Sequence, residues 1–241
     1  MQENLLGLII IATGKYDRFI EPLLSSADKY LLLGHNLDIY LMTDKPYTGK
    51  CPERFSVASL NVPHLPWPCP TLYRYKWITL YADLMTASNL YYLDVDMLFT
   101  NKVGEEILPD ETGIVAVRHP GFYVNCGWGD HKTGVVSLAH VEPSRRLFYF
   151  AGGFQGGERT AYLNACADMS INIDTDISNK VMAQWHDESH WNHYLKHHPY
   201  RSLTPEYCMV EQVELRKKWG IDNLTPRIVA LKKDHSKIRN I

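Results

Sequence analysis

Residues 5–12 form a near-continuous apolar run. Such a run predicts a strand covered on both faces. Gly14 breaks it, and Phe19, Leu23, Leu24, Ala27, Tyr30 and Leu31 then recur at helical spacing, with Pro22 tolerable only in the first turn. Gly34-His35-Asn36 closes that helix. A second strand is predicted over 37–42, ending at Thr43-Asp44-Lys45-Pro46. Residues 61–70 hold four prolines and read as loop. Residues 72–87 read as a helix with Tyr73, Trp77, Leu80, Tyr81 and Leu84 on one face. A strand over 90–93 runs into Asp94.

The second half is less regular. Strands are predicted over 113–117 and 227–231, and helices over 158–169 and 189–198. Residues 121–143 read as a loop rich in Gly, Asn and His, and 232–241 as a charged tail. Alternating strands and helices followed by mixed elements predict an α/β fold with a mostly parallel sheet. In such sheets ligands bind beyond the carboxyl ends of the strands.

Composition narrows the field. In 241 residues, 25 basic side chains nearly balance 27 acidic ones, so a general nucleic-acid binder, which needs a basic excess, is disfavoured. The apolar run at 5–12 is far short of the roughly 20 residues that span a bilayer. It also lacks the basic flank and cleavage site of a signal peptide. The chain therefore reads as cytoplasmic, or as a fragment of something longer. Its cysteines (Cys51, Cys69, Cys126, Cys166, Cys208) are odd in number and form no C-x-x-C pair, so they read as free or buried thiols.

Four segments carry candidate chemistry. Asp94-Val95-Asp96 follows an apolar strand. If the strand continued, both carboxylates would face one side, where two like charges call for a cation such as Mg2+ or Mn2+. Trp185-His186-Asp187-Glu188-Ser189-His190 stands ahead of a helix. It reads either as a capped helix start with Asp187 or Ser189 as N-cap, or as a catalytic cluster. A zinc site on His186 and His190 is disfavoured, because a zincin places Glu directly after the first His and Asp187 stands there. The glycine-rich run 151–157 reads either as a tight loop or as backbone that lets a ligand approach closely, and it lacks the lysine of a P-loop. The cationic tail around Lys232 and Lys233 reads as a solvated end or as a lid over phosphates.

Taken jointly, these segments resemble glycosyltransferase family 6, which includes the ABO histo-blood group transferases, the α-1,3-galactosyltransferases and shorter bacterial and phage relatives. The matching order runs Ile11-Ala12-Thr13-Gly14-Lys15-Tyr16, Trp67-Pro68, Arg74, Asp94-Val95-Asp96, Ile107-Leu108-Pro109 and His119-Pro120-Gly121-Phe122-Tyr123. It continues through Ala151-Gly152-Gly153-Phe154, Trp185-His186-Asp187-Glu188-Ser189, Leu203-Thr204-Pro205-Glu206-Tyr207, Lys233 and Arg239. The stretch Val124-Asn125-Cys126-Gly127-Trp128-Gly129-Asp130 departs from the family pattern.

The resemblance implies a single GT-A catalytic domain over 1–241: a Rossmann-like nucleotide half (about 1–100), a mixed acceptor half (about 101–231), and a tail (232–241) that closes over the diphosphate. It looks like the compact form, without the membrane anchor and stem of animal members. It also implies a retaining transfer of GalNAc or Gal from a UDP-sugar, in α-1,3 linkage, to a glycan ending in galactose, with or without fucose. Ile11, Ala12, Thr13 and Tyr16 would hold uridine. Asp94 and Asp96, with Val95 between them, would bind Mn2+, with Mg2+ as the alternative. Arg74, His186 and Asp187 would contact the donor, and Lys233 and Arg239 would clamp the diphosphate. Glu188 would act at the anomeric carbon, and His119 and Trp185 would meet the acceptor along with Glu188. In Ala151-Gly152-Gly153, the small first and third residues would leave room for an N-acetyl group, which favours UDP-GalNAc. The rival from another class is a non-catalytic glycan-binding module holding Ca2+ on the Asp pair. Such a module would have no use for the tail cations or for a uridine pocket.

Overall fold

The structure is a computed structural model that describes residues 4–124, 134–234 and 238. The first apolar run forms β1 (Leu6–Ile11), and α1 (Ile20–Tyr30) follows a 3-10 turn at Gly14–Phe19. Then come β2 (Leu37–Thr43), β3 (Phe55–Asn61), α2 (Cys69–Leu72), α3 (Arg74–Leu80), β4 (Asn89–Leu93), β5 (Met97–Phe99) and β6 (Ile114–Arg118). The remaining elements are β7 (Phe150–Glu158), α4 (Arg159–Ser178), α5 (His186–Leu195), β8 (Arg201–Leu203), β9 (Met209–Val210), α6 (Val213–Trp219) and β10 (Ile228–Ala230).

Seven strands form one sheet in the order β3-β2-β1-β4-β7-β6-β8. β7 runs antiparallel to both neighbours, and the other pairs are parallel, so the expected α/β architecture is present. Alternate residues of β1 enter opposite cores. Leu6, Leu8 and Ile10 meet Leu23, Leu24 and Ala27 of α1. Ile9 and Ile11 belong to the core of the other face, with Tyr75 and Ile78 of α3, Tyr162 and Met169 of α4, and Trp191 of α5. This cover on both faces is why β1 is apolar at successive positions. A second sheet, in the order β5-β10-β9, stands beside α1.

Several sequence expectations are corrected. The helix expected over 72–87 is broken: α3 ends at Leu80, and Leu80 and Leu84 are exposed. Its buried side is Arg74, Tyr75, Trp77 and Ile78, because a buried arginine replaces an apolar residue in the stripe and hides the true phase. The glycine-rich run is not a loop but the interior strand β7. A Cβ at Gly156 would lie 2.2 Å from Leu90 O, so glycine there admits close approach of β4. Strand β3 begins at a buried Phe55 but alternates poorly afterwards, and β5, β8 and β9 are too short to leave a period.

Candidate active site

The cleft opens at the carboxyl ends of β1 and β4, neighbouring parallel strands of the main sheet. It is open to solvent and is lined by Ile11, Thr13, Tyr16, Arg74, Tyr92, Asp94, Val95, Asp96, Lys233 and the 64–71 segment. β4 stops at Leu93, and a tight turn closed by Met97 N on Asp94 O (3.2 Å) carries the two aspartates into the cleft. The strand does not continue through them as the alternation argument supposed. The turn still brings both to one cavity.

Arg74 is the hub. It is 4% exposed and lies in the first turn of α3. Nη1 donates to Gly152 O (2.8 Å) and pairs with Asp187 Oδ2 (2.7 Å), while Nη2 donates to Asp94 Oδ1 (3.0 Å). Its guanidinium lies 3.7 Å from the centroid of the Tyr92 ring. Burial works against this charge, but Asp187, Tyr92 and Asp94 outweigh it and hold the guanidinium protonated. One cation thereby ties the aspartate turn to the start of α5. Tyr92, two residues before Asp94 and on the same side, donates its hydroxyl to Asp94 Oδ1 (2.6 Å).

α5 begins at His186, earlier than the sequence pattern placed it, so Asp187 and Glu188 stand in its first turn. The N-cap position is Trp185, whose backbone N–H donates to Ser189 Oγ (3.0 Å). Neither Asp187 nor Ser189 is therefore the N-cap residue. Asp187 is buried, and burial raises its pKa while Arg74 pulls it back. Glu188 Oε2 accepts the Gly152 N–H (2.8 Å). Part of Glu188 remains accessible, yet its carboxylate is enclosed. Burial pushes its pKa up to about 7, opposed by the Gly152 N–H, the nearby Tyr149 hydroxyl and the Arg74 charge. A Cβ at Gly152 would lie 3.3 Å from the Glu188 Cβ and 3.5 Å from both Arg74 Nη1 and Asp187 Oδ2, so glycine leaves this cluster its space.

Asp96 is buried, and its carboxylate pairs with the Lys233 ammonium. The pairing follows from the small sheet. β5 begins just after Asp96, and antiparallel β10 pairs Ala230 with Met97, so the chain beyond β10 returns along the aspartate turn. Leu231 N donates to Asp96 O (2.9 Å). The Lys233 ammonium stands in for a cation on Asp96. A Cβ at Gly153 would lie 3.0 Å from Asp94 Oδ2, so the bare glycine leaves that oxygen a cradle. Two carboxylates of this kind fit a hard divalent ion whose other ligands come from phosphate and water. Among the described residues there is no group of three or more metal-ligating side chains, so the protein itself offers only this pair here.

The remaining predicted residues are placed as follows. Ala12 and Ala151 are buried and do not line the cleft. His119 Nδ1 accepts the Gly121 N–H (3.1 Å), and its ring meets Tyr149 and Phe122. Trp185 is exposed, and His186 packs edge-on against Trp67. His190 instead faces Asp176 of α4, with Nε2 3.6 Å from Oδ2, so the two histidines have different neighbours. Arg239, residues 125–130 and Cys126 lie outside the described residues, while Cys51, Cys69, Cys166 and Cys208 are free thiols. The sequence reading omitted Tyr92, Tyr149 and Asn192. Only Tyr92 carried a signal, its two-residue spacing from Asp94.

Comparison with known proteins agrees with this geometry. The sequence model of glycosyltransferase family 6 matches residues 1–240. Histo-blood group ABO system transferase 1 of Rattus norvegicus is 31% identical over 254 residues, covering 100% of this chain and 70% of the relative. Globoside alpha-1,3-N-acetylgalactosaminyltransferase 1 of Homo sapiens is 31% identical over 211 residues, covering 84% and 60%. Alpha-1,3-galactosyltransferase 2 of Homo sapiens is 27% identical over 258 residues, covering 99% and 72%. With a match over nearly its whole length and the Arg74-centred cluster at the strand ends, the chain belongs to glycosyltransferase family 6 and is a glycosyltransferase of GT-A fold.

Proposed function

We propose that the protein transfers GalNAc or Gal from a UDP-sugar in α-1,3 linkage to a galactose-type acceptor with retention of configuration. The observation that carries this reading is the single buried guanidinium of Arg74 joining Asp94 to Asp187, with Glu188 alongside. The names of the relatives, which include α-1,3-N-acetylgalactosaminyl and α-1,3-galactosyl transfer, support the linkage. Residues 1–100 would hold the nucleotide, 101–231 the acceptor, and 232–241 would close the site. The free thiols suit a reducing compartment, and we assign the protein to the cytoplasm. No helix among the described residues is long and apolar enough to cross a membrane.

Ile11, Thr13 and Tyr16 would flank the uridine. A divalent ion, Mn2+ or Mg2+, held by Asp94 and Asp96, would neutralise the departing diphosphate. Arg74 fixes Asp94 and Asp187, so Asp187 can accept hydrogen bonds from the hydroxyls of the transferred sugar. Ionised Glu188 would sit beneath the anomeric carbon and oppose its developing positive charge, as a nucleophile or as an electrostatic stabiliser.

Thermal-shift measurement with UDP and Mn2+, followed by product analysis with UDP-GalNAc and UDP-Gal, tests the proposal. Stabilisation by UDP plus Mn2+ is expected, and it should vanish in the Asp94→Asn, Asp96→Asn double variant. A glycan-binding module would not respond to UDP. Full transfer in excess chelator would overturn the metal role, and the ratio of kcat/KM for the two donors assigns the transferred sugar.

A further inference from the structure

α5 lies along β7 with one residue per turn bonded to the strand backbone. Glu188 accepts from Gly152 N, Asn192 bonds Phe150 N and O (2.8 Å each), and Lys196, just past the helix end, donates to Phe148 O. Eight residues separate Lys196 from Glu188, about 12 Å at helical rise. Arg118 is the last residue of β6 and the register partner of Phe150, over whose ring the Lys196 ammonium stands 5.3 Å from the centroid. Its guanidinium stands 4.0 Å from the centroid of the Phe148 ring and 5.2 Å from that of Tyr123. One cation is thus seated on the Phe148 ring and the other on its carbonyl. Arg145 backs them, donating from Nη1 to Lys196 O (3.0 Å).

Among the described residues, Arg118, Arg145 and Lys196 pair with no carboxylate, and Arg118 Nε is buried without a hydrogen-bond partner. The contrast is Arg54, which pairs with Asp28 and fills its donors on Ala27, Asp28, Leu31, Leu32 and His35 carbonyls. Burial and the Arg118 charge push the Lys196 ammonium down to about 8, so the two cations repel each other. A guanidinium presents five donors in a fork that matches carboxylate or phosphate. The neighbouring Tyr149 meets the His119 ring, and its hydroxyl lies close enough to Glu188 to lower the acid's pKa, so this cluster adjoins the proposed reacting centre.

We propose that Arg118 and Lys196, with Arg145 behind them, form a subsite for an anionic group, carboxylate or phosphate, on the acceptor glycan. At roughly 12 Å from Glu188 along the helix, the charge would lie one to two sugar rings beyond the acceptor hydroxyl. The proposal rests on the reading of the acceptor as a galactose-ended glycan.

The test compares three probes: lactose, lactobionate (the same galactoside carrying a carboxylate) and lactose 1-phosphate. Calorimetry without donor gives Kd for each on the wild type, Arg118→Gln and Lys196→Gln. The expected wild-type result is tighter binding of at least one acidic probe than of lactose, by roughly fivefold for a partly solvated charge pair. Both variants should erase that ratio. Preference for one acid alone assigns the group as carboxylate or phosphate. Equal Kd for all three, or a preference that survives both variants, overturns the subsite. Transfer assays separate this from the acceptor reading: acid preference in binding with no transfer to any probe would sustain the subsite and overturn galactose as acceptor.

Discussion

Glu188 owes its properties to the groups around it. Its carboxylate is enclosed and accepts the Gly152 N–H, and the negative Asp94 adds to burial in raising its pKa. Glu188→Gln keeps the volume and removes the charge, so turnover should fall more than tenfold, about 1.4 kcal/mol of barrier, while calorimetry still shows UDP-sugar binding. Because the ionised form is the active one, kcat/KM of the wild type should rise with pH through about 7. A profile flat from pH 5 to 8 would remove Glu188 from the chemistry. Gly153 belongs to the same scale. The missing Cβ faces Asp94 Oδ2 rather than open space, so glycine serves the carboxylate whichever sugar is bound. Gly153→Ala should therefore lower transfer from UDP-GalNAc and from UDP-Gal alike, by roughly tenfold for a displaced positioning group. A loss confined to GalNAc would show that the position reads the acetyl group instead.

At the scale of elements, α5 carries the site, and its packing sets where Asp187 and Glu188 stand. Asn192 holds it to Phe150, and His190, 2% exposed, turns to α4. There Asp176 also accepts from Ser137 Oγ (2.5 Å) and Leu138 N (2.9 Å). Burial pushes the His190 pKa down to about 4 from 6.5, despite Asp176. The folded protein keeps this ring neutral where the unfolded chain protonates it. Between about pH 6.5 and 4 the unfolded state therefore binds more protons, and stability falls as pH falls. The loss approaches roughly 3 kcal/mol near pH 4. The raised Asp187 and Glu188 carboxyls work the other way over the same range, so the His190 contribution is read as a difference: between pH 7 and pH 5, urea melts should show the wild type losing more stability, or gaining less, than His190→Gln. The same change in the variant would assign the pH dependence to other groups.

Across the whole molecule, the small sheet determines what the tail can do. β10 pairs with β5 and returns residues 231–233 to the aspartate turn, where Lys233 occupies Asp96. A divalent ion must compete with this ammonium for the same carboxylate. Lys233→Met should therefore tighten Mn2+ binding in the absence of nucleotide, several-fold by the loss of one competing ion pair, as read from the free-Mn2+ electron paramagnetic resonance signal. With UDP present, the same variant should bind nucleotide more weakly, since the cation that would meet the diphosphate is gone. Unchanged Mn2+ affinity would show that the lysine yields its place without cost.

The sequence by itself determined β1, α1, β2 and β4, because each buries enough apolar side chains to leave a period or a run, whereas β3 alternates too poorly to be seen. It also exposed the Asp94, Asp187 and Glu188 segments, since carboxylates clustered beside apolar elements stand out in any reading. What it could not give were features made by contacts distant in the chain. Arg74 interrupts the apolar face of α3 because its partners Asp94 and Asp187 lie 20 and 113 residues away. The glycines of β7 mimic a loop, since their cause is the close approach of β4 and of the Arg74 cluster. The cations at Arg118 and Lys196 meet only because α5 packs on β7, and no local pattern records that meeting. Local periodicity reports burial within an element, whereas charge pairing, close backbone approach and unmatched cations are properties of elements once packed, and tertiary structure alone decided them.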